Sequence, residues 1–122
     1  MYEIKVKSSF SAAHNLKNYD GKCERLHGHN WIVEAVFRYR KLDANGLAVD
    51  FKIAKAALKD AIESLDHAYL NELPYFKKAN PTSENTAKFI YDNVKKNMKS
   101  IHSIAVWENE QSSAIYMEAS SS

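Results

Sequence analysis

His27 and His29 flank Gly28 in the stretch CERLHGHN, residues 23–30. On an extended chain, side chains at i and i+2 share a face and lie about 6–7 Å apart along the strand. Two imidazoles at that spacing can converge on one ion, with Zn–N distances of about 2.0–2.1 Å. Gly28 removes a side chain from the opposite face and permits a bend. His14 supplies a third ligand if the strand that ends there neighbours the strand carrying His27. Three histidines leave the fourth position of a zinc ion open, as in catalytic sites. Two other readings stand beside this one. The H-x-H pair can serve packing alone, or Cys23, four residues before His27, can close a structural site as fourth ligand. Against the closed site, a chain of this size needs no metal to stabilise its core.

Cys23 is the sole cysteine among 122 residues. It lies between Lys22 and Glu24-Arg25, where nearby cations and a zinc ion would favour the thiolate. That environment suits a base or nucleophile; the alternative is a small buried hydrophobe. Asp66 and His67, in SLDHAYLN (64–71), follow a helical stretch. The pair can orient and polarise a catalytic group, or His67 can simply sit near the negative end of the helix dipole. His102 reads as a surface residue.

The elements that must position these groups follow from periodicity. Tyr2, Ile4 and Val6 alternate with Glu3, Lys5 and Lys7, a half-buried strand running through Phe10 towards His14. A polar loop follows (15–22). Residues 29–40, rich in β-branched and aromatic side chains, read as a second strand. Asp43, Asn45 and Gly46 mark a turn, and Asp50 caps a helix. Its expected inward stripe is Ile53, Ala57, Leu58, Ala61, Ile62 and Leu65, with Lys52, Lys55, Lys59 and Glu63 outside. Pro74 and Pro81 bracket a loop. Thr82 or Ser83 caps a second helix to about Met98, with Ala87, Ile90, Tyr91, Val94 and Met98 inward. Residues 103–108 and 114–118 are a closing pair of strands. The order ββααββ is an α+β domain, an antiparallel sheet with helices on one face. One domain over residues 1–119 is expected, with Ser120, Ser121 and Ser122 a frayed tail.

Composition narrows the function classes. Seventeen basic and fifteen acidic residues give a formal charge of +2, too balanced to argue for nucleic acid as a partner. One cysteine excludes an intramolecular disulfide. The segment MYEIKVKSSF has no apolar stretch of the secretory type, and no run reaches membrane-span length. The expectation is a cytoplasmic protein with neither membrane nor nucleic-acid partners.

Taken in order, FSAAH (10–14), CERLHGH (23–29), VDF (49–51), LDHAYLN (65–71), NPTSEN (80–85) and VWE followed by AIY near the end resemble the 6-pyruvoyltetrahydropterin synthase and 6-carboxytetrahydropterin synthase family over essentially the whole chain. The resemblance implies the tunnelling fold, in which each subunit gives a four-stranded antiparallel sheet with two helices on one face. Three subunits close a barrel, two trimers form a hexamer, and active sites lie between subunits. It puts the zinc ligands on His14, His27 and His29, and the catalytic cysteine on Cys23. It puts an Asp-His pair, reaching the cysteine from an adjacent subunit, on Asp66 and His67. It puts the pterin-anchoring carboxylate on Glu108 and pocket-lining residues on Thr82 and Ser83.

The implied substrate is 7,8-dihydroneopterin triphosphate. Three products are open to the family: the 6-pyruvoyl compound by triphosphate elimination, 6-carboxytetrahydropterin with release of acetaldehyde and triphosphate, and a 6-hydroxymethyl pterin. Resemblance to short microbial members favours the 6-carboxy branch, which feeds queuosine and other deazapurines. Basic residues, Lys55 among the lysines available, would hold the triphosphate. Glu24 is a possible second base, since some folate-branch members carry a glutamate in place of the cysteine; the competing reading is a solvated loop residue. A rival of another class is a zinc-stabilised oligomeric binding protein. It would keep the histidines but need neither Cys23 nor Glu108, and both are present.

Overall fold

A computed structural model describes residues 1–17 and 25–119. Cys23, Glu24 and the serine tail expected at 120–122 lie outside the described residues. Two long strands, β1 (Tyr2–His14) and β2 (His27–Tyr39), pair antiparallel from Tyr2 opposite Tyr39 to His14 opposite His27. Then come α1 (Phe51–Ile62), the two-residue strand β3 (Ala68–Tyr69), α2 (Pro74–Lys78), α3 (Ser83–Asn97), β4 (Ile101–Trp107) and β5 (Ser113–Tyr116). The sheet order is β3-β1-β2-β4-β5. The four expected strands form the antiparallel body. The fifth, β3, is an addition, pairing parallel to β1 through Ala12–Ala68 and Ala13–Tyr69.

Period-two alternation decides which face is covered. Val6, Phe10, Ala12, Trp31, Val33, Ala35 and Phe37 are buried against the helices with Ile104 and Val106. Phe10 and Trp31 stack with centroids 5.6 Å apart. The opposite face is polar: Arg38 bonds Glu3 at 2.7 Å, and Lys5 and Lys7 each reach Glu34 at 3.6 Å. Such exposed pairs add little stability, which comes from the apolar face.

Asp50 caps α1, its carboxylate accepting from the Lys52 N–H at 2.9 Å. One expectation fails there: Ile53 is 56% exposed and Ala54 is buried in its place. At about 100° per residue, Ile53 lies roughly 140° round the helix from Leu58, outside the buried stripe. The segment between Pro74 and Pro81 is also more ordered than the loop expected. Pro74 starts α2, where its missing N–H costs nothing, and Phe76 is buried beside Tyr75 and Phe89. Thr82 is the cap of α3, its hydroxyl accepting from the Asn85 N–H at 3.0 Å. α3 stops at Asn97, and Met98 packs partly buried against the core. No helix among the described residues is long and apolar enough to cross a membrane.

Candidate metal centre and substrate site

The β1–β2 register brings the histidines together. His14 stands directly opposite His27, and His29 is opposite Ala12. All three therefore face the covered side, at its end. Their rings meet edge to face, with centroids 4.6 Å (His14–His27), 4.5 Å (His27–His29) and 5.5 Å (His14–His29) apart. Trp31, two residues beyond His29, floors the cluster at 4.7 Å from His14 and 5.8 Å from His29. β4 runs beside β2, with Trp107 opposite Ile32. That register delivers Glu108 to the same corner. Among the described residues, His14, His27, His29 and Glu108 form a group whose donor atoms all lie within 4.8 Å of one another.

Two of the three imidazoles are oriented for this by backbone carbonyls. The His14 Nδ1–H donates to the Pro81 carbonyl at 2.7 Å, and the His27 Nδ1–H to the Arg25 carbonyl at 2.9 Å. Both bonds fix the tautomer that leaves Nε2 as a lone-pair donor. The Nε2 atoms of His14 and His29 are buried with no hydrogen-bond partner among the described residues. An orphaned buried nitrogen is costly unless something binds it, and two aimed at one point fit a cation. Burial holds the His14 pKa below the ordinary imidazole value. The Pro81 carbonyl and Glu108 pull it up, while His27 and His29 push it down. A neutral His14 is the form a metal needs.

Gly28 plays a different part from the bend expected. β2 is continuous through it, and a Cβ there would meet only the Ala12 carbonyl oxygen, at an ordinary 4.0 Å. It instead leaves open a cavity of about 620 Å³ bordered by His29, Asn30, His67 and Tyr69. His67 thus shares a cavity with one metal-group histidine, His29, while its partner Asp66 lines a separate one with Lys59 and Glu63. Asp66 accepts from the Ser11 N–H at 3.0 Å and pairs with the His67 Nδ1 at 3.1 Å. The Ser11 N–H is the main cause holding the Asp66 carboxyl below its usual range; His67 helps and desolvation opposes. His67 is held at φ 58° by its N–H bond to the Ser11 carbonyl at 2.5 Å, with its side chain 83% exposed.

Sequence reasoning missed the residues that hold the end of β1. Asn71 pairs with the Asn15 peptide through both amide atoms, accepting from N–H at 3.0 Å and donating to the carbonyl at 2.8 Å. Asn80 does the same for Lys17, at 2.8 and 3.1 Å. Both amides imitate a neighbouring strand. Their only signal was their place in LDHAYLN and NPTSEN. The second segment is a bracket for the site: the Pro81 carbonyl holds His14, Thr82 caps α3, and the Ser83 hydroxyl donates to Glu108 Oε1 at 2.7 Å. Ser83 and Glu108 border a second cavity of about 260 Å³ with Asn109 and Ser113. Thr82 spends its hydroxyl on the cap, so Ser83 is the better placed of the two to meet a ligand there.

The fold and site define an α+β protein with a three-imidazole, one-carboxylate cation group set between two cavities. The chain belongs to the 6-pyruvoyl tetrahydropterin synthase family, whose model matches residues 3–119. It is 34% identical over 122 residues to the 6-carboxy-5,6,7,8-tetrahydropterin synthase of Synechocystis sp., covering 95% of this chain and 93% of that one. It is 29% identical over 141 residues to the protein of the same name from Haemophilus influenzae, covering 97% and 100%. Its fold is that of the Caenorhabditis elegans 6-pyruvoyl tetrahydropterin synthase, with TM-score 0.84, 22% identity, and 97% and 96% of the two chains covered.

Proposed function

We propose that this chain is a zinc-dependent 6-carboxy-5,6,7,8-tetrahydropterin synthase. Its substrate would be 7,8-dihydroneopterin triphosphate, and its products 6-carboxytetrahydropterin, acetaldehyde and triphosphate. The observation that carries the metal half is the convergence of His14, His27 and His29, with two buried Nε2 atoms otherwise unpartnered. The names of the relatives carry the choice of reaction. Bound zinc would supply Lewis acidity towards the side-chain hydroxyls of the pterin.

The chain's own residues do the rest. Cys23 is the proton-transfer group at the side-chain carbons, and Glu24 is a second base only if its loop allows it. Asp66, ionised and pinned by the Ser11 N–H, keeps the proton of His67 on Nδ1 and leaves Nε2 to accept or relay a proton. Glu108, with Ser83 beside it, is an acceptor-only group for the N–H edge of the ring. Lys55 or another lysine holds the triphosphate.

The protein works as a homo-oligomer, a hexamer built from two trimers with sites between subunits. Support comes from β5, whose outer edge has no strand beside it among the described residues. Ile115 on it is 59% exposed, a combination that monomers avoid. The exposure of His67 also fits a group that serves a neighbour.

The test is to incubate the zinc-loaded protein with dihydroneopterin triphosphate and identify the products. Acetaldehyde with 6-carboxytetrahydropterin is the expected outcome. A 6-pyruvoyl or 6-hydroxymethyl pterin would reassign the branch, and no pterin product would leave only a binding protein.

A further inference from the structure

A single carboxylate at this site faces two different surroundings. Glu108 Oε2 points at the imidazoles, 3.8 Å from His14 Nε2 and 3.7 Å from His29 Nε2. Those gaps are too long for hydrogen bonds, which would be about 2.9 Å. They are close to the separation of two donors on one tetrahedral ion, about 3.3 Å for bonds near 2.0–2.1 Å. The other oxygen, Oε1, accepts from the Ser83 hydroxyl at 2.7 Å and borders the 260 Å³ cavity. His14 is 1% exposed and its Nε2 is orphaned. A cation between Nε2 and Oε2 would satisfy both.

Pterin recognition asks something else of the same group. The ring's N–H and its adjacent amino group are two parallel donors, a fork that a carboxylate meets with both oxygens at once. Glu108 cannot keep Oε2 on a cation beside the imidazoles and also turn both oxygens to the ring.

We propose that Glu108 serves the two in turn: it is the fourth donor to the metal in the substrate-free protein, and the pterin ring draws it away, so that one metal position opens only when substrate is present. This rests on the pterin reading above. It reconciles the open three-histidine site expected from sequence with the four-donor group observed. It also requires reciprocal coupling, since a ring that takes Glu108 weakens the hold on the metal by the same factor that the metal weakens the hold on the ring.

The test uses Co2+ in place of zinc and 6-methylpterin as probe. This pterin lacks the side-chain hydroxyls, and direct ligation of cobalt by its own O4 and N5 would shift the bands of Glu108→Ala as well, at probe concentrations shown by fluorescence to saturate that variant. Without pterin, wild type and the near-isosteric Glu108→Gln should differ in their visible cobalt bands. Glu108→Ala should lose on the order of tenfold or more in metal affinity by chelator competition, as loss of a donor entails. Adding the probe should shift the wild-type bands and leave both variants unchanged. Identical bands and affinities in wild type and variants overturn the proposal. So does a probe that binds wild type, seen by its fluorescence, while the bands stay still. A probe that does not bind wild type at all takes down the pterin reading and the displacement with it. The pterin-free comparison of wild type with Glu108→Ala reports the metal contact separately.

Discussion

The imidazole corner and the Asp66–His67 pair meet at one cavity, through His29 and His67, but are built in opposite ways. At the corner, His14 is buried in ordinary strand backbone, its ring locked by the Pro81 carbonyl and floored by Trp31. At the pair, the backbone is forced into the left-handed region at His67 and the side chain stands exposed. The first is a finished cradle within one chain. The second is a reactive group aimed and then left open, with its acid partner already fixed by Ser11.

The largest effect that follows is on metal content. His14→Ala, His27→Ala and His29→Ala should each fall from about one zinc per chain to almost none by elemental analysis, whereas His67→Ala should retain it. Zinc held fully by the histidine variants would remove the contrast, and its loss in Cys23→Ala would revive the closed structural site.

The metal-free protein should also respond to acid through the corner. The His14 pKa in the fold lies below the ordinary 6.5 because of burial. The unfolded chain therefore takes up a proton that the fold refuses as pH falls through 6.5. Above that value the group contributes no pH dependence; below it stability drops. The urea midpoint should fall more between pH 7.5 and 5.5 in wild type than in His14→Gln, whose amide does not titrate.

The clasps come next. Asn71→Ala removes both bonds to the Asn15 peptide and should destabilise by about 1–3 kcal/mol in urea unfolding. It should also weaken metal binding by roughly tenfold, because Asn15 follows His14 directly. Unchanged metal affinity would mean that Pro81 alone sets His14.

The smallest effect has the opposite sign. His67→Gly relieves a left-handed residue, a conformation costing about 1–2 kcal/mol for side chains with a Cβ. Part of that returns as backbone entropy of the unfolded chain. Thermal unfolding should show a stability equal to wild type or slightly higher, with turnover lost. A clear destabilisation would show that His67 is structural after all.

What the sequence made legible was local periodicity. His27 and His29 share a face because strands repeat every two residues, and His14 joined them because FSAAH ends a strand of the same kind. The caps Asp50 and Thr82 were readable from side-chain chemistry. Long-range register was not. Glu108 reaches the imidazoles only because Trp107 pairs with Ile32. Asn71 and Asn80 clasp residues 56 and 63 positions away. Ile53 was misplaced because hydrophobicity alone does not fix the centre of a helix's buried arc. The families of residues quoted in the resemblance marked these places without giving their contacts.

The metal reading puts one ion between three histidine Nε2 atoms at the end of the β1–β2 pair. Anomalous diffraction at the zinc edge from crystals of the zinc-loaded protein tests it most directly. One peak per chain is expected, about 2.0–2.1 Å from Nε2 of His14, His27 and His29. A zinc-loaded crystal with no peak between those nitrogens, or with its peak elsewhere on the chain, would contradict it.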